Sequence, residues 1–87
     1  MGGKILLKID AEAEGSEELI LRGMEGFIVR RRPDILLEVL PGFETGLNSL
    51  TFLGESGYTF YNLTNNGLVE KPSLIATDFR DYALTPI

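Results

Sequence analysis

The chain has 87 residues, 44% apolar and 24% charged, the proportions of a single globular domain spanning residues 1–87. It has neither cysteine nor histidine, which excludes a disulfide framework, a thiolate metal site and imidazole acid–base chemistry. The net charge of −5 argues against nucleic acid, and no apolar stretch reaches the roughly 20 residues a membrane span needs. Met1-Gly2-Gly3-Lys4 carries no signal-peptide core, so a cytoplasmic protein without a membrane partner is expected. A chain this short buries only about 60% of its unfolded surface, so its core is small.

Ile5-Leu6-Leu7-Lys8-Ile9 is a short apolar run with branched residues, the composition of a strand buried on both faces. An acidic loop follows, Asp10 to Gly15. Ser16 suits an N-cap, and Glu17 and Glu18 sit where a helix dipole favours negative charge. Ile20, Met24, Phe27 and Ile28 then share one helical face, interrupted by Gly23, which weakens the helix by about 1 kcal/mol relative to alanine. Arg30, Arg31 and Arg32 complement the dipole of its last turn, and Pro33 ends it.

Ile35 to Leu40 reads as a second buried strand, broken by Pro41-Gly42. A second helix is expected from Thr45 to Ser56, with Leu47, Leu50 and Leu53 on one face and Gly57 just past its end. Tyr58 to Leu63 is aromatic and β-branched, a third strand. Asn65-Asn66-Gly67 marks a turn, and Leu68-Val69 leaves room for a brief return strand. Residues Ser73 to Asp81 carry the weakest pattern in the chain, before a last strand from Asp81 to Thr85. Alternation of strand and helix implies parallel strands. No helix fits between Leu63 and Tyr82, so the last two main strands are expected to pair antiparallel. Tyr58, Phe60 and Tyr61 read as strand packing, with a ligand platform as the alternative. Lys8, a lone charge in an apolar strand, can pair with Glu38 across adjacent strands or extend its ammonium to water.

Several of these segments together resemble the FkbM family of S-adenosylmethionine-dependent methyltransferases. Lys8-Ile9-Asp10, then Glu14-Gly15-Ser16-Glu17, then Leu21-Arg22-Gly23 resemble the family signature of a Lys-x-Asp-x-Glu-Gly-x-Glu stretch running into a helix with Leu-Arg-Gly. Arg32 to Val39 resembles the strand that follows, and Gly57-Tyr58 and Arg80 to Leu84 resemble its C-terminal pattern. The resemblance runs from Lys4 to Pro86 and corresponds to the C-terminal half of such an enzyme. It implies an α/β fold, half of a Rossmann-like methyltransferase: a mixed four-stranded sheet with an antiparallel last strand and two main helices. The expected order is first, second, last, third strand.

The implied reaction is methyl transfer from S-adenosylmethionine to a hydroxyl. In the family the cofactor is held by a glycine-rich turn and an acidic residue that precede this half, so these residues alone are not expected to bind it. Gly2-Gly3 comes before a strand, whereas such a turn follows one. The chain also departs from the signature by an insertion. Ala11-Glu12-Ala13 separates Asp10 from Glu14, so Asp10 and Glu12 are both candidates for the family aspartate.

Asp10, Glu12, Glu14 and Glu17 follow the carboxyl end of the first strand, where open α/β sheets bind ligands, and Glu38 ends the neighbouring strand. These five are the candidate catalytic residues. Crowded carboxylates can supply a general base for a hydroxyl or hold a hard cation. Alternatively Glu17 only complements a helix dipole and Asp10 to Glu14 form a solvated loop. The other class of function is a non-enzymatic interaction module built on the same half-fold. Under either reading the first strand becomes an apolar sheet edge, so a homo-oligomer paired through that edge is expected.

Overall fold

The computed structural model describes residues 5–9 and 16–86. In chain order these form β1 (Leu6–Lys8), α1 (Glu17–Gly23), α2 (Glu25–Arg31), β2 (Asp34–Glu38), α3 (Glu44–Asn48), α4 (Phe52–Glu55), β3 (Tyr58–Thr64), β4 (Gly67–Lys71) and β5 (Asp81–Pro86). The strands make one mixed sheet in the order β1-β2-β5-β3-β4. β1 and β2 run parallel, while β5 is antiparallel to both of its neighbours, β2 and β3. The order of the four main strands is the one expected from the sequence.

Two expectations are corrected. The sheet has five strands, not four, because Gly67–Lys71 pairs along β3 from Thr64↔Gly67 to Phe60↔Lys71. The turn makes this possible: the Thr64 hydroxyl accepts the Asn66 N–H at 3.0 Å, and Gly67 takes a φ of +94° that glycine adopts without strain. Backbone pairing holds these five residues in a strand although they are largely exposed.

The two expected helices are each broken in two. α1 stops at Gly23, and Met24 sits at φ −105°, ψ 10°, outside the helical region. The Met24 N–H bonds both the Ile20 and Leu21 carbonyls, tightening the turn before α2 resumes. Ser16 occupies the N-cap position of α1, yet its side chain makes no capping bond. In the second segment the Ser49 hydroxyl donates to the Gly46 carbonyl at 2.6 Å, a local bond that competes with helix continuation. α3 and α4 therefore flank a bend at Ser49 to Thr51. Gly57 lies just past α4 with φ +86°, as expected of a helix-terminating glycine.

The arginine run also ends a helix as expected. Arg32 takes a left-handed φ of 52°, and its Nη1 donates to the Ser56 carbonyl at 2.6 Å. The ends of α2 and α4 are thereby tied together.

All four helices pack on one sheet face. Ile35, Leu37, Leu84 and Tyr82 alternate along β2 and β5 and join Leu21, Ile28, Leu47 and Leu53 in a single apolar core. The opposite face presents Leu6, Lys8, Leu36, Glu38, Tyr61, Leu63, Asp81 and Ala83, none of which belongs to that core. The first strand is accordingly not buried on both faces: Leu6 and Lys8 are exposed. No helix among the described residues is long and apolar enough to cross a membrane.

Residues 72–80, between β4 and β5, have no regular structure but are held by side chains from three elements. Asn48 Nδ2 donates to the Leu74 carbonyl at 2.8 Å, and Asn48 Oδ1 accepts the Leu74 N–H at 2.9 Å. The Glu44 carboxylate accepts the N–H groups of Gly42 at 2.9 Å and Ala76 at 3.2 Å, and these bonds hold it below the usual carboxylate range. The Tyr82 hydroxyl donates to the Ile75 carbonyl at 2.8 Å and accepts the Ile75 N–H at 3.2 Å. Asn62 completes the set from β3.

Tyr58, at the start of β3, is buried, and its hydroxyl donates to the Pro33 carbonyl at 2.6 Å. Burial pushes this phenol from its ordinary 10 up to about 12, assisted by the nearby Asp34 charge and opposed by Arg32. The neutral form is thus favoured in the folded state. Its contribution to stability is present in full below pH about 10 and is lost as pH rises from there through about 12. Urea melts across that window should show falling stability. Tyr58→Phe should cost about 1 kcal/mol at neutral pH and flatten the alkaline decline, because the hydrogen bond and the titrating group disappear together. An unchanged alkaline slope in the variant would place the titration elsewhere.

Candidate functional site

The carboxyl ends of β1 and β2 open onto a cleft of about 300 Å³ lined by Lys8, Ile9, Leu36, Leu37, Glu38, Leu63, Asp81 and Tyr82. Three different strands bring charge to it. β1 delivers Lys8 as its last residue. β2 delivers Glu38 as its last residue. β5 runs the other way, so its first residue, Asp81, lies directly opposite Glu38 in the antiparallel register.

Glu38 and Asp81 are therefore cross-strand neighbours, a placement in which Cβ atoms sit about 5 Å apart and like charges repel. Both are exposed. Lys8 pairs in register with Leu36, two residues before Glu38, and shares its sheet face. The result is a carboxylate pair and an ammonium beside the apolar side chains of Leu36 and Leu63. Such a group can accept hydrogen bonds from a hydroxyl or an amine, and a carboxylate within reach of a hydroxyl can take its proton.

Of the five candidate carboxylates, Glu38 is at this cleft. Glu17 is not. It is 5% exposed in the first turn of α1 and lines a separate recess with Glu18, Gly42, Phe43, Gly46 and Leu47. The structure does not bring Glu17 and Glu38 into one cleft. A helix lifts Glu17 away, whereas the strand end leaves Glu38 at the sheet's rim. Asp10, Glu12 and Glu14 lie outside the described residues. Asp81 was not among the candidates. Its only sequence signal is its place as the first residue of a strand that must run antiparallel to the second. Among the described residues no three His, Cys, Asp or Glu side chains gather closely enough to hold a metal ion.

The aromatic residues of β3 divide as strand packing requires. Tyr58 and Phe60 pack on the helix-covered core, and Tyr61 alternates to the opposite face. Of the described strand-to-helix turns, the one between β2 and α3 has a single glycine, Gly42 at φ +91°.

The chain matches no family model, no curated protein and no solved structure.

Proposed function

We propose that this chain is built on the C-terminal half of an FkbM-type methyltransferase, and that residues 1–87 by themselves do not hold the methyl donor. The observation that carries the reading is the last strand. β5 lies antiparallel between β2 and β3, so three strands run one way and the final one is inserted against them. The family resemblance implies that arrangement, and a simple chain of strand–helix–strand units would not produce it. The cleft beside that insertion supports an O-methyl acceptor. Glu38 or Asp81 would take the proton of a hydroxyl, and Lys8 would offset the negative charge of the pair. Asp10, Glu12 and Glu14 belong to the same proposal through the signature they resemble, and S-adenosylmethionine enters it as a group held by other residues.

Calorimetric titration with S-adenosylmethionine tests the cofactor part. The expected result is no heat of binding, or a dissociation constant in the millimolar range. Micromolar binding would overturn it. The lineage is tested separately by the coding sequence upstream of Met1. An in-frame segment with a glycine-rich turn after a strand supports it, and an unrelated domain fused there sinks it.

The second reading is an interaction module that associates with itself through β1. It is favoured by the exposure of this edge: Leu6 is 57% and Ile5 41% exposed. Exposed apolar residues on an unpaired strand are the usual template for pairing with another chain.

A further inference from the structure

We propose that two copies of this chain pair their β1 strands antiparallel about a two-fold axis through Leu7, joining two five-stranded sheets into one. The inference rests on the second reading above and adds to it a register.

The register follows from the direction of the backbone groups. The Ile5 carbonyl accepts the Asp34 N–H, and the Ile9 N–H donates to the Leu36 carbonyl, both at 2.8 Å. In a parallel pair bonding alternates along the strand, so residues 5, 7 and 9 face β2. The N–H and C=O of Leu6 and Lys8 therefore point away from the sheet, and among the described residues β1 has no second neighbour.

An antiparallel copy can meet these groups in three ways. Opposing Leu6 with Leu6 of the partner leaves the groups of Lys8 without a partner among the described residues. Opposing Lys8 with Lys8 of the partner sets two ammonium groups face to face, which is destabilising. Opposing Leu6 with Lys8 of the partner, and the reverse, uses every outward N–H and C=O of both residues. It also lays the aliphatic stem of each lysine on the exposed leucine. Among the described residues the strand satisfies both outward-facing residues in this third register alone, and the pairing has the two-fold axis that a self-complementary interface requires. The opposite sheet edge competes poorly, since β4 carries Glu70 and Lys71 and runs into Pro72.

Sedimentation equilibrium over a range of concentrations should show a two-chain mass for the 87-residue chain. Leu6→Pro should weaken association about tenfold or more while leaving the far-UV spectrum unchanged, because the Leu6 N–H makes no bond within the sheet. Leu6→Lys should weaken it comparably by setting two lysines opposite each other. Adding Lys8→Glu to that variant should restore it, since each new lysine then faces a glutamate. A single-chain mass at every concentration would overturn both the pairing and the module reading. A dimer indifferent to Leu6→Pro, or unrescued by the double change, would overturn the register and leave the module reading standing. None of these outcomes bears on the methyltransferase lineage.

Discussion

Asn62→Leu is expected to destabilise the protein by about 3 kcal/mol, a large part of the 5–15 kcal/mol available to a small domain. Asn62 is 1% exposed on β3. Its Nδ2 donates to the carbonyls of Phe79 at 2.8 Å and Asp81 at 3.1 Å, and its Oδ1 accepts from the Thr77 hydroxyl at 3.0 Å. Leucine fills the volume but leaves two carbonyls and a hydroxyl without this partner. Removing one side of a buried bond costs the desolvation of the other, which is why the loss exceeds that of an ordinary hydrogen bond. Chemical denaturation checks the magnitude. Asn65→Ala in the exposed β3–β4 turn is the control and should stay within about 0.5 kcal/mol. Equal effects at the two positions would remove Asn62 from its role as the anchor of residues 77–81.

The second large effect is expected at Leu74. Leu74→Ala should cost about 3 kcal/mol, the range for a buried leucine whose cavity collapses only partly. Leu74 sits in a segment with no regular structure, yet it is 1% exposed and part of the central core. Asn48 grips its backbone on both sides, through the N–H and the carbonyl. Amide exchange should accordingly find the Leu74 N–H among the protected amides, although it belongs to no helix or strand. Rapid exchange there, together with a small effect of the alanine, would show that residues 72–80 lie loosely on the domain.

Both sites bear on how the cleft is built. Asn62 fixes the entry to β5, and the entry to β5 is what sets Asp81 against Glu38. A loosened anchor should disturb the carboxylate pair before it disturbs the distant helices.

The sequence by itself determined the strands, because their signals are local. Ile35 to Leu40 and Tyr58 to Leu63 are largely apolar or β-branched runs set off by proline and glycine, and they fold into the strands Asp34–Glu38 and Tyr58–Thr64. The antiparallel sense of the last strand was also legible, since no helix was left to carry the chain back. Helix continuity was less so. Gly23 flagged a weakness, but whether it only weakens or ends α1 depends on what the following turn packs against.

Tertiary structure alone decided the rest. It chose which carboxylates meet: Glu38 and Asp81 are 43 positions apart in the chain and become neighbours only through the register of β2 with β5. Glu17, closer in sequence to Glu38, is turned into another recess by its helix. It also gave residues 72–80 a defined place. Their anchors are Glu44, Asn48, Asn62 and Tyr82, polar groups whose bonds to this segment span 7 to 32 positions of the chain. Apolar periodicity records which face of an element is buried. It carries no record of which distant amide or hydroxyl will satisfy a given loop, because that pairing exists only once the elements have packed.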